Sequence, residues 1–335
     1  PQMWLLDKFL KAAIKQGRMV VTDYDGATYE YGSASEGEPP LHIRLTDKKA
    51  ANHIARYPQV GAGEAFMWGW LHVEEPHDIR DLVLFVTKNA KGDGERALKP
   101  QGPLRKAAQR LLATVDSLNP RDKARKNAEH TYNLTRELYE RFLDEDRQYT
   151  MAYYRGDPAT TSLEKAQLDK KAHLAAKMYV QPGQRILDIG CGWGGLGLTL
   201  ARDHGARVLG VTLSKEQHRV ANERARAAGL SDRARFQLMD YREVEGRFDR
   251  VVSVGMFEHV GSPHYREYFR TIHDKLLPDG IALIPTIGRT LPPGANSPWI
   301  EKYIFPGGYI PALSEMMAAA EKADLMSQDI EVWRM

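Results

Sequence analysis

Three glycines at alternate positions, Gly190, Gly192 and Gly194, follow directly after an apolar run that begins at Ile186. Glycine adopts backbone dihedral angles that are closed to other residues, and it lets the backbone approach a ligand closely. A helix predicted to begin near Leu196 would turn its free N–H groups and positive dipole end toward the same place. The spacing differs from the dinucleotide-binding pattern, which has two residues between its second and third glycines. We therefore predict a site for a nucleotide-like cofactor, with a nicotinamide dehydrogenase as the weakest alternative.

Polar side chains also follow the next two predicted strands. A run from Thr212 to Gln217 begins about 22 residues after the first glycine of the turn, where a nucleotide fold places the group that holds ribose hydroxyls. The run Asp240-Tyr241-Arg242 follows the third strand and offers an aromatic ring between polar groups, which suits an adenine. Each signal is weak alone, but their order and spacing support one cofactor site.

A carboxylate and an imidazole stand side by side at the end of the fourth predicted strand, as Glu258 and His259. Placed beside a cofactor, this pair suits general acid and base chemistry. A structural interpretation stays open, in which His259 is packed in the core and Glu258 caps a helix.

The elements that position these residues alternate between helix and strand from residue 129 onward. A capping box at Thr161-Ser162-Leu163-Glu164 predicts a helix that extends to about Lys177. Alternating helices and strands favour a parallel, doubly wound α/β sheet. The predicted strands are 185–189, 208–211, 235–238, 248–254, 281–284 after a turn at 278–280, and 328–333.

The N-terminal part has a mixed α and β pattern. An amphipathic helix is predicted over 3–16, either packed on its own domain or resting on an anionic bilayer surface. Short strands are predicted at 19–21, 41–45 and 71–73, and a helix at 78–89. The aromatic-rich segment 63–70 is predicted to lie in the core.

Composition excludes several classes of protein. The chain has 335 residues, enough for two domains, and a net charge of +3 that gives no case for nucleic-acid binding. The single cysteine, Cys191, excludes an internal disulfide and a cysteine-rich zinc site, and we predict no metal. No apolar run is long enough for a transmembrane helix, and no signal peptide is visible.

The segment from Tyr149 to Pro311 resembles the cyclopropane-fatty-acyl-phospholipid synthases and their mycolic-acid relatives, which are class I methyltransferases that use S-adenosylmethionine (SAM). The N-terminal segment 63–67 (Gly-Glu-Ala-Phe-Met) is more loosely similar. The matching text comprises Leu187-Asp-Ile-Gly-Cys-Gly-Trp-Gly-Gly195, Gly210-Val-Thr-Leu-Ser214, Gln217, Asp240-Tyr-Arg242, Phe248–Gly261, Thr286-Ile-Gly288 and Pro298–Gly308.

This resemblance implies transfer of the SAM methyl carbon to the cis double bond of a phospholipid acyl chain, with a bound bicarbonate as base. It assigns the bicarbonate-holding glutamate to Glu258, and we take His259 and Tyr153 as further catalytic candidates. The implied cofactor-binding residues are Tyr149, Thr150, Asp188, Gly190, Cys191, Gly192, Gly194, Thr212, Leu213, Gln217, Asp240, Tyr241 and Arg242.

Two departures concern the bicarbonate site that the resemblance implies. Met151 replaces a cysteine of the family pattern, and Pro285 replaces a histidine. Proline offers an anion neither a side-chain donor nor a backbone N–H, and methionine offers only a weak sulfur acceptor. We therefore expect cofactor binding to persist and the identity of the base to differ.

The expected fold is a class I SAM-methyltransferase sheet of Rossmann-like type, incomplete at its C-terminus, with a smaller mixed α+β N-terminal domain. We divide the chain into a lipid-positioning domain (1–100), a basic junction (101–128) and a methyltransferase domain (129–335), and we read it as a fragment. Its expected partners are unsaturated phospholipid and an anionic membrane surface, with a homodimer left open. The expected location is the cytoplasmic face of the membrane.

Three further functions stay open at this point. The enzyme could form methyl-branched or methylene fatty acids, because bicarbonate ligands are replaced. It could methylate another small hydrophobic molecule, or it could be an inactive protein that binds SAM or lipid.

Overall fold

The computed structural model describes residues 3–33, 39–90, 136–290, 292–294 and 296–333. The chain divides into two compact units, and the first unit consists of two separate stretches of sequence. The first comprises Pro1–Ala113 with Ser297–Tyr303, and the second comprises Thr114–Asn296 with Ile304–Met335. The predicted basic junction at 101–128 lies outside the described residues.

A four-stranded mixed sheet forms the base of the first unit, in the order β2-β1-β3-β4. β1 pairs antiparallel with β2 and parallel with β3, and β3 pairs antiparallel with β4. The sequence did not predict β2, because Tyr31 is the only buried residue of this polar strand. The elements are α1 (Met3–Ala13), β1 (Gly17–Thr22), β2 (Thr28–Ser33), β3 (Leu41–Leu45), α2 (Ala50–Arg56), α3 (Gly61–Met67), β4 (Leu71–Val73) and α4 (Ile79–Ala90).

The aromatic-rich segment 63–70 is only partly in the core, so the prediction for it was partly wrong. Helix α3 buries Gly61, Glu64 and Ala65, which are three or four positions apart and share one helix face. Phe66 and Met67 fall on the other side of the helix and are exposed, as is the following Trp68.

The second unit is a five-stranded sheet in the order β7-β6-β5-β8-β9, with every neighbouring pair parallel. This confirms the doubly wound α/β prediction. Its elements are α5 (Arg136–Glu140), α6 (Leu163–Lys177), β5 (Arg185–Ile189), α7 (Gly195–Asp203), β6 (Arg207–Thr212), α8 (Lys215–Ala227), β7 (Ala234–Leu238), β8 (Phe248–Val252), α9 (Tyr265–Lys275), β9 (Leu276–Leu283) and α10 (Leu313–Glu321), with a π-helical turn at Ile300–Ile304.

Both faces of this sheet are buried, as a parallel sheet requires. Leu187 and Ile189 of β5 belong to one apolar cluster, whereas Ile186 belongs to a second, because alternate side chains of a strand point to opposite faces. The first cluster includes Phe257 and Tyr268, and the second includes other side chains from α6, α7 and α8. The central strand that leads to the glycine turn is therefore held from both sides.

The predicted strand at 328–333 does not form, and this prediction was wrong. The segment is irregular and lies along α6, where Lys177 Nζ donates to Asp329 at 2.6 Å and to Glu331 at 2.8 Å. The imidazole of His173 also contacts Glu331 at 2.8 Å. Ion pairs with the helix thus replace strand pairing, and Val332 stays exposed.

Two further boundaries differ from the sequence prediction. β9 begins at Leu276 and includes the predicted turn at 278–280, because an irregularity in the register opposite β8 accommodates it. Helix α6 begins at Leu163, and its N-cap is Ser162, whose hydroxyl accepts a hydrogen bond from the Lys165 N–H at 3.2 Å. The capping residue is thus Ser162 instead of Thr161.

Candidate active site

One cavity lies where β5, β6, β7 and β8 reach their carboxyl ends, which is the edge at which open α/β sheets bind ligands. The structure brings together twelve of the thirteen predicted cofactor-binding residues in its lining. These are Tyr149, Thr150, Asp188, Gly190, Cys191, Gly192, Thr212, Leu213, Gln217, Asp240, Tyr241 and Arg242.

The glycine turn owes its shape to left-handed backbone angles, with φ of +76° at Gly190 and +54° at Gly192. A side chain at Gly190 would press against Met256, whereas one at Gly192 would enter open space. The N–H groups of Gly190 and Cys191 both donate to the carbonyl of Val211, at 2.9 and 3.0 Å. These two donors of the turn are therefore engaged within the protein.

Gly194 is the predicted cofactor residue that does not line the cavity. It caps α7 with a φ of +84°, and an added Cβ would meet Ala221 at 2.9 Å and Phe236 at 3.0 Å. Its place is therefore explained by packing between the turn, α8 and β7. The requirement for glycine comes from the left-handed backbone and the close neighbours.

Asp188 lies in the buried part of β5, is 2% exposed and lines the cavity. Its Oδ2 atom is buried and has no hydrogen-bond partner among the described residues. Burial raises the pKa of this carboxyl to about 7. A buried polar atom without a partner is costly, so this oxygen is a candidate ligand-binding atom.

The polar groups after β6 and β7 are held in fixed orientations. The Thr212 hydroxyl donates to Gln217 Oε1 at 2.9 Å, which positions the amide at the start of α8. Arg242 donates to both oxygens of Asp240, at 2.8 and 2.7 Å, and its guanidinium lies 5.5 Å from the Tyr241 ring centre. Both groups are thus ready to receive a ligand with little further ordering.

The three predicted catalytic residues occupy different places. His259 lines the cavity, and burial lowers its pKa to about 4, so that the imidazole is neutral at neutral pH. Glu258 lies just outside the lining, where its Oε1 accepts a hydrogen bond from the Ile287 N–H at 2.7 Å. Tyr153 also lies outside the lining, because its ring stacks on His173 with centroids 4.4 Å apart.

Burial also raises the pKa of Glu258, although hydrogen bonding from the Ile287 N–H and the nearby Thr286 side chain acts in the opposite direction. Its Oε2 atom is buried without a hydrogen-bond partner within 3.5 Å in the described parts of the chain. This side chain therefore resembles Asp188 in having one carboxylate oxygen without a protein partner.

The two positions that depart from the family pattern add no donor to the cavity. Neither Met151 nor Pro285 lines it, and the Pro285 carbonyl accepts a hydrogen bond from the Gly255 N–H at 2.9 Å. Met151 and Pro285 therefore supply no side-chain donor for a bicarbonate near Glu258.

Sequence reasoning missed several residues of the lining. Lys170, from the buried face of α6, is the most informative of them, and Arg147, Trp193 and His264 also contribute. The signal for Lys170 was hidden, because both adjacent lysines are buried and the sequence does not show which of them lines the cavity.

The parallel sheet, the glycine turn and the cavity at the strand ends define a class I SAM-dependent methyltransferase. The family model described as mycolic acid cyclopropane synthetase matches residues 119–335. The chain belongs to this family, and the names of its relatives describe enzymes that modify lipids.

Two relatives illustrate the range of activities for which members of this family are named. The chain is 35% identical over 292 residues to the cyclopropane-fatty-acyl-phospholipid synthase of Escherichia coli K12, covering 87% of this chain and 72% of that protein. It is 35% identical over 291 residues to tuberculostearic acid methyltransferase UfaA1 of Mycobacterium tuberculosis, covering 84% and 66%.

The fold of this chain is similar to that of two solved structures. Cyclopropane synthase MmaA2 of Mycobacterium tuberculosis is 29% identical with a TM-score of 0.56, covering 62% of this chain and 75% of that one. Mycolic acid cyclopropane synthase CmaA1, complexed with S-adenosylhomocysteine (SAH) and CTAB, is 28% identical with a TM-score of 0.56, covering 63% and 77%. The chain is thus an enzyme of lipid methylation that uses SAM.

Proposed function

We propose that this chain transfers the methyl carbon of SAM to the cis double bond of an unsaturated phospholipid acyl chain. The observation that carries the proposal is one cavity that combines the cofactor-type residues of three strand ends with the neutral imidazole of His259. The names of the relatives, which include a fatty-acyl-phospholipid synthase and a fatty acid methyltransferase, support the lipid substrate.

The residues of the cavity fit SAM. The unpartnered Asp188 oxygen suits a cationic amine, and the open space above Gly192 lets a ligand approach the backbone. We assign Thr212 and Gln217 to the ribose end and Tyr241 to the adenine end. When bound, SAM supplies a methyl group activated by a sulfonium.

An alkene is a weak nucleophile, so this chain must hold the double bond close and in line, and must exclude water. Tyr149 lines the cavity within an aromatic group, with its ring 5.5 Å from that of Tyr139 and 6.1 Å from that of Phe305. Aromatic faces stabilise positive charge, so this group suits the cation that methyl addition leaves on the acyl chain.

A proton must then leave the methylated acyl chain. We propose His259 as the acceptor, because its imidazole lines the cavity and its lowered pKa keeps it unprotonated. Glu258 is adjacent in sequence, and we assign it a supporting role behind the lining. Tyr153 has no part in this proposal, because its ring packs elsewhere.

The alternative products follow from the base. Loss of a proton from the added methyl group, with ring closure onto the cationic carbon, gives a cyclopropane. If a hydride first shifts from the methylated carbon to the cationic carbon, loss of a proton from the methyl group gives a methylene acyl chain instead. Formation of the methyl-branched product would also require a reductant.

The product decides between these outcomes. Purified protein would be incubated with SAM and vesicles of cis-unsaturated phosphatidylglycerol, and the acyl chains analysed by mass spectrometry and NMR. A gain of one carbon with retention of the olefin supports the methylene variant, and a cyclopropane ring supports the synthase. SAM binding without any lipid product, or with methylation of soluble acceptors only, would contradict the proposal.

We also propose that the enzyme works at an anionic bilayer surface. No helix in the described ranges is long and apolar enough to cross a membrane. Helix α1 has exposed Trp4 and Leu5 beside the charged Lys8, a combination suited to a lipid interface. Flotation with phosphatidylglycerol but not phosphatidylcholine vesicles is expected, and equal behaviour with both would contradict the idea.

A further inference from the structure

Lys170 is a buried cation whose position the proposed mechanism does not use. It belongs to α6, is 1% exposed and lines the same cavity as Asp188. Its Nζ donates a hydrogen bond to the Thr150 hydroxyl at 2.6 Å. Among the described residues it forms no ion pair, whereas the adjacent Lys171 pairs with Asp146 at 2.6 Å. Burial of a cation against a neutral hydroxyl is unfavourable unless a ligand supplies the counter-charge.

The protonation behaviour of Lys170 fits this placement. Burial lowers its pKa to about 7, although Asp144 attracts the charged form. Asp188, in the same lining, shows the matching effect of opposite sign, since burial raises its pKa to about 7. Within the described chain these two groups form no ion pair with each other. The cavity therefore contains one acidic and one basic side chain, each lacking a charged partner.

A zwitterion complements such a pair. The methionyl end of SAM and of SAH has one α-ammonium and one α-carboxylate group on the same carbon. The unpartnered Asp188 oxygen suits the ammonium, which leaves the carboxylate to a cation. Arg242, which also lines the cavity, is already engaged with both oxygens of Asp240.

We propose that Lys170 binds the α-carboxylate of the cofactor's methionyl group, with Thr150 orienting its ammonium. This inference rests on the proposed use of the cavity for SAM. It makes Lys170 a specificity-determining residue, because it distinguishes the intact cofactor from analogues without the carboxylate. The residues around Thr150 support this geometry, since Gln167 Nε2, also from α6, donates to the Thr150 carbonyl at 2.9 Å.

The test compares two ligands that differ by one group. Calorimetry would measure the affinity of SAH and of decarboxylated SAH for the wild type and for Lys170→Met. We expect the variant to bind SAH about 10- to 100-fold more weakly, as for loss of a charge-assisted hydrogen bond. The affinity for decarboxylated SAH should change by less than about threefold, because that ligand has no carboxylate to lose.

Two further variants separate recognition from packing. Lys165→Met removes an exposed lysine from the same helix and should leave both affinities unchanged. Lys170→Gln keeps a donor for Thr150. Like Lys170→Met, it should bind SAH more weakly and change the affinity for decarboxylated SAH little. It replaces the methionine variant if that variant does not fold.

The outcomes are distinct. If the Lys170 variants bound SAH and decarboxylated SAH with equally reduced affinity, the inference would be overturned, and Lys170 would only position Thr150. Unchanged SAH affinity would overturn it as well. If the wild type bound neither SAM nor SAH, the proposed function would fail together with this inference.

Discussion

The imidazole of His259 meets the ring of Phe305 edge to face, with ring centroids 5.8 Å apart and planes inclined by 70°. Phe305 in turn approaches Tyr149, so the imidazole borders the aromatic group of the cavity. Because this imidazole is neutral, it brings no charge into the apolar surroundings before it accepts a proton from the substrate.

Replacement of His259 by Gln should therefore affect turnover more than binding. We expect kcat to fall by about 10²- to 10⁴-fold, the usual effect of losing a general base. SAH affinity should change little, and the measurements are steady-state methylation of lipid vesicles and calorimetry. His264→Gln is the matched control, since His264 also lines the cavity. An equal loss of kcat in both variants would contradict the assignment.

Asp188 should make the ligand-free protein less stable at high pH. Its pKa is 3.8 in an unfolded chain and about 7 after burial, so the unfolded state releases the proton first as the pH rises. Stability from this group is thus present below about pH 4 and is lost as the pH rises through 7. Asp188→Asn should raise the free energy of unfolding at pH 8 by on the order of 2 kcal/mol and should weaken SAM binding.

Denaturant unfolding at pH 4 and pH 8, with calorimetry of SAM binding, would check this prediction. Asp146→Asn is the control of opposite sign. Burial alone would raise the pKa of Asp146, but Lys171 and Arg224 lower it. That variant should lose about 3 kcal/mol at pH 7, because it leaves the buried Lys171 without its ion-pair partner. Destabilisation by Asp188→Asn at pH 8 would show that the carboxylate is compensated in the ligand-free state.

Two glycines of the same turn should respond differently to alanine. Gly192→Ala should cost about 1–2 kcal/mol of stability for its left-handed backbone, and should lower SAH affinity at least about tenfold because the methyl group enters open space in the lining. Gly194→Ala carries the same backbone cost and also presses on Phe236, for about 3 kcal/mol in total.

The folded Gly194→Ala protein should nevertheless retain nearly normal SAH affinity, because Gly194 lies outside the lining. Chemical denaturation and calorimetry on both variants supply the comparison. A larger affinity loss in Gly194→Ala than in Gly192→Ala would contradict the assignment of Gly194 to packing.

Glu64 should contribute to the stability of the first unit. Burial alone would raise its pKa, but hydrogen bonds from Lys302, Tyr303 and His53, each 2.6 Å long, lower it to about 2. The stability from Glu64 is therefore present above about pH 4.5 and is lost as the pH falls toward 2. Glu64→Ala should lower the free energy of unfolding by about 1–3 kcal/mol at pH 7.

Thermal unfolding at pH 7 would measure the effect. Glu74→Ala is the control, because Glu74 pairs with Arg44 at the surface and both side chains are largely exposed. An exposed pair contributes less than about 1 kcal/mol. Equal effects of the two substitutions would mean that the Glu64 contacts are as weak as a surface ion pair.

Most of the cofactor cavity was predictable from the sequence, because its residues follow strands with a strong apolar pattern. Parallel strands bring their carboxyl ends to one edge, so Asp188, Thr212 and Tyr241 meet although they are far apart in sequence. Gly194 was assigned to the ligand because a glycine pattern does not distinguish a position near a cofactor from one packed against a neighbouring helix.

Other features depended on tertiary contacts that a pattern does not show. Whether Lys170 or Lys171 faces the cavity depends on how α6 lies against the sheet. The segment around Asp329 and Glu331 alternates polar and apolar residues like a strand, yet ion pairs with α6 hold it in irregular form. Periodicity therefore identified the sheet and missed the competing electrostatic contacts.

The discontinuity of the first unit has a consequence for biosynthesis. The Glu64 carboxylate receives its bonds from Lys302 and Tyr303, which lie 238 and 239 residues further along the chain. At a translation rate of about 5–20 residues per second, the ribosome needs roughly 12–48 s to make those partners after Glu64 has been incorporated. The N-terminal unit thus acquires its last contacts only after most of the methyltransferase sheet has been synthesised.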